Sequence, residues 1–382
     1  MQVDQVTDGA AVRPRGARRQ GDGARKGTTT IVDVARAAGV STATVSRVLN
    51  DHPKVDAGLR SRVLRAVKEL GYRPSRVARS LRTRRNRVWA LIISDVRTGP
   101  FFADVVRGVE DIAYGAGYSI FLCNADENAA KEASYIELAV AENVAGLILT
   151  PSSERTDLSP LIHSGIPVVL ADRSLPSEYA DTVTVDNISG AYQAVSHLLA
   201  GGFKRIACIT GPLQTTTGER RYVGYCKALA EAGRAVDEAL VRVADFREAG
   251  GSAAMRDLLQ EDRRPDAVFV TNHLMAIGAL QEIDQAGLLI PDDVAIVSFD
   301  DMSWSTLLRP PLTAVAQPAY DLGVESARLL LSRLEGYSGT PRLVTLSPAL
   351  VVRASSTPVK RPANRRASPS VPHGNSKEGR EP

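Results

Sequence analysis

The sequence predicts a small all-α module followed by a larger α/β body built on parallel sheets. Three observations predict it. Residues 28–72 carry helical periodicity alone, with apolar residues at Ile31, Val34, Ala35 and Ala38 and again at Leu59, Val63, Leu64, Val67 and Leu70. From Val88 onward, short apolar runs alternate with helical stretches, the pattern of strands covered on both faces. Charge divides at the same place: residues 28–87 hold 14 Lys/Arg against 4 Asp/Glu, whereas residues 88–353 hold 21 against 34. A compact basic module ahead of an acidic body points to a polyanionic partner for the module.

With 382 residues, 44% hydrophobic and 24% charged, the chain has enough apolar material for two or three domains. It has no run of 18 apolar residues, and its opening residues lack the apolar core of a secretory signal. Cys123, Cys208 and Cys226 are odd in number and lack metal-type spacing, so they read as reduced thiols of a cytoplasmic protein without a membrane association. His52, His163, His197, His273 and His373 are scattered. They form no metal-ligand pattern and accompany no nucleophile motif. The Gly-x-Gly of YGAGYS lacks the third glycine of a dinucleotide loop. No enzyme activity, no metal and no cofactor are therefore expected. Residues 1–27 and 356–382 are rich in Gly, Arg, Ser and Pro without periodicity and read as disordered tails.

The module spans residues 28–73. Thr30 with Asp33 forms the pattern of a capping box opening a first helix. Gly39 ends that helix, where glycine takes a left-handed conformation cheaply. Ser41 reads as the N-cap of a second helix, 42–50, with Val45, Val48 and Leu49 inward, and a third helix is expected over about 57–70. Two helices joined by so short a break cross in helix-turn-helix geometry. The start of the second helix, Ser41, Thr42, Ala43, Thr44, Ser46 and Arg47, would then meet base edges in a major groove, with Arg47 suited to a guanine. Asn50, Lys54 and Tyr72 are placed to hold phosphates.

In the body, strands are expected at 88–94, 118–123, 146–150, 167–171, 205–210, 267–271 and 294–299. Helices are expected at 102–116, 131–142, 189–201, 218–232, 250–261 and 274–286. This many parallel strands over more than 260 residues favours two sheets over one.

The module, followed by ELGYRPSRVARSLRTRR, resembles the LacI/GalR family of transcriptional regulators. The resemblance continues through GPFFADVVRGVEDIAYGAGYSIFLCNADEN, VAGLILTPS, GIPVVLADR, VTVDNISGAY and VSFDDMSWSTLLRPPLTAV, and covers roughly residues 28–355. It implies a hinge helix within residues 74–87 that enters the minor groove when paired in a homodimer. Leu81 would be the wedge between base steps, with Arg76 and Arg79 on the backbone. It implies that residues 88–355 form an effector-binding and dimerisation domain like the periplasmic sugar-binding proteins, with two subdomains, three crossovers and a ligand cleft. The N-subdomain would cover about 88–200 and 316–340, the C-subdomain about 203–314 and 341–354. Family positions at the cleft match Phe101, Phe102, Arg221, Phe246, Asn272 and Asp300, with Thr217 and Asp95 as weaker matches.

Two positions depart from the family's pattern. His273 stands where an Asp is usual, and Thr215 stands where purine-responsive relatives carry an Arg. The reading that results is a repressor binding double-stranded, pseudo-palindromic operator DNA as a homodimer, controlled by a small-molecule effector, a carbohydrate. The alternatives are a co-repressed regulator responding to a purine or a phosphorylated sugar, and a small-molecule binding protein without gene control.

Overall fold

The computed structural model describes residues 29–49, 52, 54–72, 86–176 and 179–357. The chain divides into two compact units, residues 1–84 and 85–382. Both expected tails and the hinge positions Arg76, Arg79 and Leu81 lie outside the described residues, except that the second tail begins at Ser356 and Thr357, which are described.

Among its described residues the first unit holds three helices: α1 (Ile31–Ala38), α2 (Thr42–Leu49) and α3 (Ala57–Glu69). The capping box forms, with Thr30 accepting from the Asp33 backbone and Asp33 accepting from Thr30 at 2.9 Å. Gly39 takes φ 62°, the left-handed turn that sends the chain into α2. Val34, Ala35, Ala38, Val45, Val48, Val63 and Ala66 make the core, with Leu49, Val67 and Tyr72 packed at its edge. Leu64 and Leu70, expected inside, are 48% and 38% exposed. The face of α3 that meets α1 and α2 runs through Val63, Ala66 and Val67, and Leu64 lies to one side of it.

Among its described residues the second unit contains two six-stranded sheets. The first has strand order β11-β5-β4-β3-β1-β2 and is parallel throughout. Its strands are β1 (Val88–Ile93), β2 (Ser119–Asn124), β3 (Gly146–Leu149), β4 (Val168–Ala171), β5 (Asp181–Val185) and β11 (Leu343–Leu346). The second has order β12-β10-β9-β8-β6-β7, with only the β10–β12 pair antiparallel. Its strands are β6 (Ile206–Thr210), β7 (Val241–Val243), β8 (Ala267–Val270), β9 (Ala295–Phe299), β10 (Thr313–Ala316) and β12 (Ala349–Val351). Helices α4 (Pro100–Gly115), α5 (Ala129–Ala141), α6 (Ser159–His163) and α11 (Ala319–Leu334) accompany the first sheet. Helices α7 (Asn187–Ala200), α8 (Thr216–Glu231), α9 (Glu248–Leu259) and α10 (His273–Gln285) accompany the second.

The chain passes between the sheets three times, at residue 186, at 317–318 and at 347–348. Two boundaries differ from expectation. Helix α7, expected in the N-subdomain, buries Ala191, Ala194, Val195 and Leu198 against Phe299 and its neighbours in the second sheet, because the chain crosses directly after β5. Strand β11, expected in the C-subdomain, pairs with β5. The body also continues past residue 355: Ser356 is buried and its hydroxyl lies 2.8 Å from His197 and 2.7 Å from Thr313.

Two features fix the frame on which the cleft is built. Helices α4 and α11 touch backbone to backbone at Gly108 and Gly323. A Cβ on Gly108 would lie 2.2 Å from the Tyr320 carbonyl oxygen, and one on Gly323 2.1 Å from that of Val105. The crossover at 317–318 feeds α11, so this seam ties it to the helix whose first turn holds Phe101 and Phe102. At the far side of the sheet Asp181 is buried between Arg333 and Arg342, each at 2.8 Å, with the Tyr337 ring beneath both guanidiniums. Burial alone would raise the Asp181 carboxyl, but the hydrogen bonds and charges of the two arginines hold it at about 2.

Replacing Asp181 with Asn is expected to cost roughly 2–4 kcal/mol of unfolding free energy, because two partly buried guanidiniums lose their counter-charge. The folded carboxyl titrates below its ordinary value, so its stabilisation is complete above about pH 4 and is lost as pH falls towards about 2. Urea midpoints of the native chain and Asp181→Asn should converge over that interval.

Candidate functional site

In the helical unit the start of α2 faces outward. Ser41, Thr42, Ala43 and Arg47 are exposed, and Thr44 and Ser46 are half-buried. The first turn of α2 carries no acidic residue and its last turn carries Arg47. Ser41 is tied into the turn: its hydroxyl accepts from the Thr44 backbone at 3.2 Å and lies 3.0 Å from the Thr44 hydroxyl. This leaves Thr42, Ala43 and Arg47 as the most outward-facing of these side chains. Lys54 is exposed, whereas Tyr72 packs against the module's core. Asn50 lies outside the described residues.

In the α/β unit, Phe101, Phe102, Thr217, Arg221, Phe246, Asn272 and Asp300, all singled out in the sequence, line one cavity. Ser94, Glu127, Asp172, Arg173 and Gln317 complete its wall. These five escaped the sequence reading, although a positional signal existed for three of them, Ser94, Asp172 and Gln317. Ser94, Asp172, Asn272, Asp300 and Gln317 follow the ends of β1, β4, β8, β9 and β10. Crevices at the carboxyl ends of parallel strands are where such sheets bind ligands. Asp95 turns instead to Arg97, its carboxylate receiving Nε at 3.1 Å and Nη2 at 2.9 Å. Thr215 caps α8, accepting from the Gly218 backbone at 3.2 Å.

The cavity's groups are not equivalent. Arg221 is buried; its Nε donates to Asn187 Oδ1 at 2.7 Å, its Nη1 to the Thr271 carbonyl at 2.6 Å, and its guanidinium lies 3.8 Å above the Phe299 ring. Burial lowers its pKa, offset by the charges of Asp300 and Asp172. Arg173 is matched by Glu127 through two bonds of 2.8 and 2.6 Å and raised by that carboxylate against the effect of burial. Asn272 has both ends of its amide engaged, with Met275 N at 2.9 Å and the Phe246 carbonyl at 3.0 Å. These two bonds fix its orientation in the wall.

The two aspartates diverge. Asp300 receives the His273 ring Nδ1 at 2.9 Å and the His273 backbone N–H at 3.3 Å on one oxygen, and the Gln317 amide on the other. Burial opposes its ionisation, but these bonds and the nearby Arg221 charge bring it to about 2. Asp172 is equally buried, yet its Oδ1 has no hydrogen-bond partner. Burial outweighs the pull of Arg173 and Arg221 and pushes it up to about 6. One carboxylate is thus fixed and anionic, the other unpaired and easily protonated. The remaining space is about 40 Å³, so a ring-sized ligand enters only if the two lobes part or side chains move.

A basic helix-turn-helix unit joined to a two-lobed domain with a polar cleft at its strand ends defines a ligand-responsive DNA-binding regulator. Residues 30–75 match the bacterial regulatory proteins of the lacI family, and residues 195–356 match the periplasmic binding protein-like domain. The HTH-type transcriptional repressor PurR of Histophilus somni (strain 129Pt) is 35% identical over 328 residues, 85% of this chain and 98% of its own. Among solved structures, the transcriptional regulator CelR in complex with cellobiose is 35% identical, covering 86% of this chain and 99% of its own, with a TM-score of 0.67. The lac repressor dimer bound to operator and an anti-inducer is 27% identical, covering 87% of this chain and 100% of its own, with a TM-score of 0.78. The chain belongs to the LacI family of bacterial regulatory proteins. The PurR relative is a transcriptional repressor, and among the described residues no helix is long and apolar enough to cross a membrane.

Because the folded Asp172 titrates above its ordinary value, it favours folding below about pH 4 and opposes it once pH rises through about 6. Asp172→Asn should therefore raise the unfolding temperature by a few degrees at about pH 7.5. That gain should disappear near pH 4, as measured by thermal unfolding at the two pH values.

Proposed function

We propose that this regulator represses transcription by binding a pseudo-palindromic operator as a homodimer, and that a carbohydrate in the cleft alters that binding. The observation that carries the proposal is the composition of the cleft wall. Three phenylalanine rings, Phe101, Phe102 and Phe246, stand beside Asp172, Asp300 and Arg221. Rings suit the C–H face of a sugar, and carboxylates with a guanidinium suit its hydroxyls. Three carboxylates against two guanidiniums make the wall a poor host for a phosphorylated sugar. The purine alternative is disfavoured by Thr215, which is occupied in capping α8. CelR was solved with cellobiose, and the lac repressor dimer with its operator, which supports the same ligand class and the same symmetric DNA partner here.

On the DNA side Arg47 is proposed to read a base and Leu81 to act as the minor-groove wedge. Arg47→Ala should cost about 1–3 kcal/mol of operator affinity and relax discrimination at one base pair. Leu81→Ala should weaken operator binding while leaving affinity for a scrambled duplex nearly unchanged. Fluorescence anisotropy at one fixed salt concentration measures both. Equal losses of Leu81→Ala on the two duplexes would remove the wedge from the proposal.

A further inference from the structure

His273 is placed for more than packing. It is the first residue of α10, its side chain is 3% exposed, and both its ring Nδ1 and its backbone N–H reach the same oxygen of Asp300. Helix capping does not need it, because the Asn272 side chain already caps α10 by accepting from Met275. Asp300 holds a left-handed φ of 73°, rarely adopted by a residue with a side chain, and donates its own N–H to Val315 at 3.0 Å. Its second oxygen takes the Gln317 amide, and Gln317 belongs to the crossover between the two lobes. The Gln317 carbonyl oxygen Oε1 is buried and has no hydrogen-bond partner. The order is thus a helix start, a ring, a cleft carboxylate and a crossover side chain.

An ionised carboxylate only accepts, so the ring nitrogen facing it must carry the proton. That puts a proton on Nδ1, and it aims the carboxylate.

We infer that His273 is the positioning residue of the cleft, its Nδ1–H orienting Asp300 so that a ligand acting on that carboxylate also acts on Gln317 in the crossover. The inference rests on the effector reading of the cleft. Removing the ring donor should leave Asp300 free to rotate, weakening both ligand affinity and its transmission to the DNA-binding end.

The test uses the full chain labelled with ¹⁵N on its five histidines. His273 should give an Nδ1–H signal that vanishes in His273→Asn and moves in Asp300→Asn. An Nδ1 without a proton, or a signal indifferent to Asp300→Asn, would overturn the inference without any ligand being needed. A second arm follows release of an operator duplex by ribose or cellobiose. His273→Asn, which keeps an N–H at the Nδ1 position, should hold the sugar midpoint within about threefold. His273→Gln, which presents its amide at the Nε2 position, should raise the midpoint roughly tenfold or more, as expected for loss of a hydrogen bond to a charged group. Thermal unfolding and sugar-free operator affinity serve as the folding controls. Equal midpoints for the Gln variant and the native chain would also overturn the inference. If neither sugar shifts the native chain, the carbohydrate reading fails, and the proton position alone decides the role of His273.

Discussion

The α/β body is organised around a guanidinium that has left water. Arg221 lies under 5% exposed, and nothing about its helix requires a cation at that depth. Burying it demands partners on every side, and the fold supplies them from separate elements. Asn187 comes from the first turn of α7, the Thr271 carbonyl from the end of β8, the Phe299 ring from β9, and negative charge from Asp172 and Asp300. Asn187 reaches this lobe because the chain crosses between the sheets at residue 186, and Asp172 joins from the other lobe. A buried charge of this kind is weak evidence of a stabilising device and better read as a determinant of arrangement. Here the arrangement is a cleft with one fixed anion, one unpaired acid and three aromatic rings.

That arrangement also ties the cleft to the crossover between the lobes. Gln317 links the crossover to Asp300, and the glycine contacts between α4 and α11 leave the crossover little freedom to move apart from Phe101 and Phe102. A ligand that changes the relation of the lobes therefore moves packed helices as blocks rather than bending them. Coupling of this sort typically amounts to about 1–3 kcal/mol between two sites, enough to change operator occupancy severalfold to a hundredfold.

The sequence carried those parts of the fold whose signals are local. The Thr30 and Asp33 box, the Gly39 turn and the apolar runs of β1, β3, β6, β8 and β9 each follow from a few neighbouring residues. Strands β5, β7, β10, β11 and β12 were not expected, because segments such as DTVTV and LVTL are short or polar and become strands only when a neighbour pairs with them. Helix α7 was expected as a helix but assigned to the wrong lobe, since periodicity shows that a face is buried without showing against what. In the cleft the residues matched through the family came together, while Asp172, Arg173 and Glu127 did not stand out. Acids and arginines on loops look alike in sequence, and what distinguishes the unpaired Asp172 oxygen from the doubly bonded Asp300 is tertiary geometry.

The most direct test of the account compares the native chain with Arg221→Lys for binding of a fluorescent operator duplex, titrated with ribose and with cellobiose. A lysine keeps the charge but cannot bridge Asn187 and Thr271 together. One of these sugars should shift operator affinity of the native chain, and Arg221→Lys should bind the duplex with native affinity yet ignore that sugar. A variant that responds to the sugar as the native chain does would place the effector outside the cleft and contradict the account.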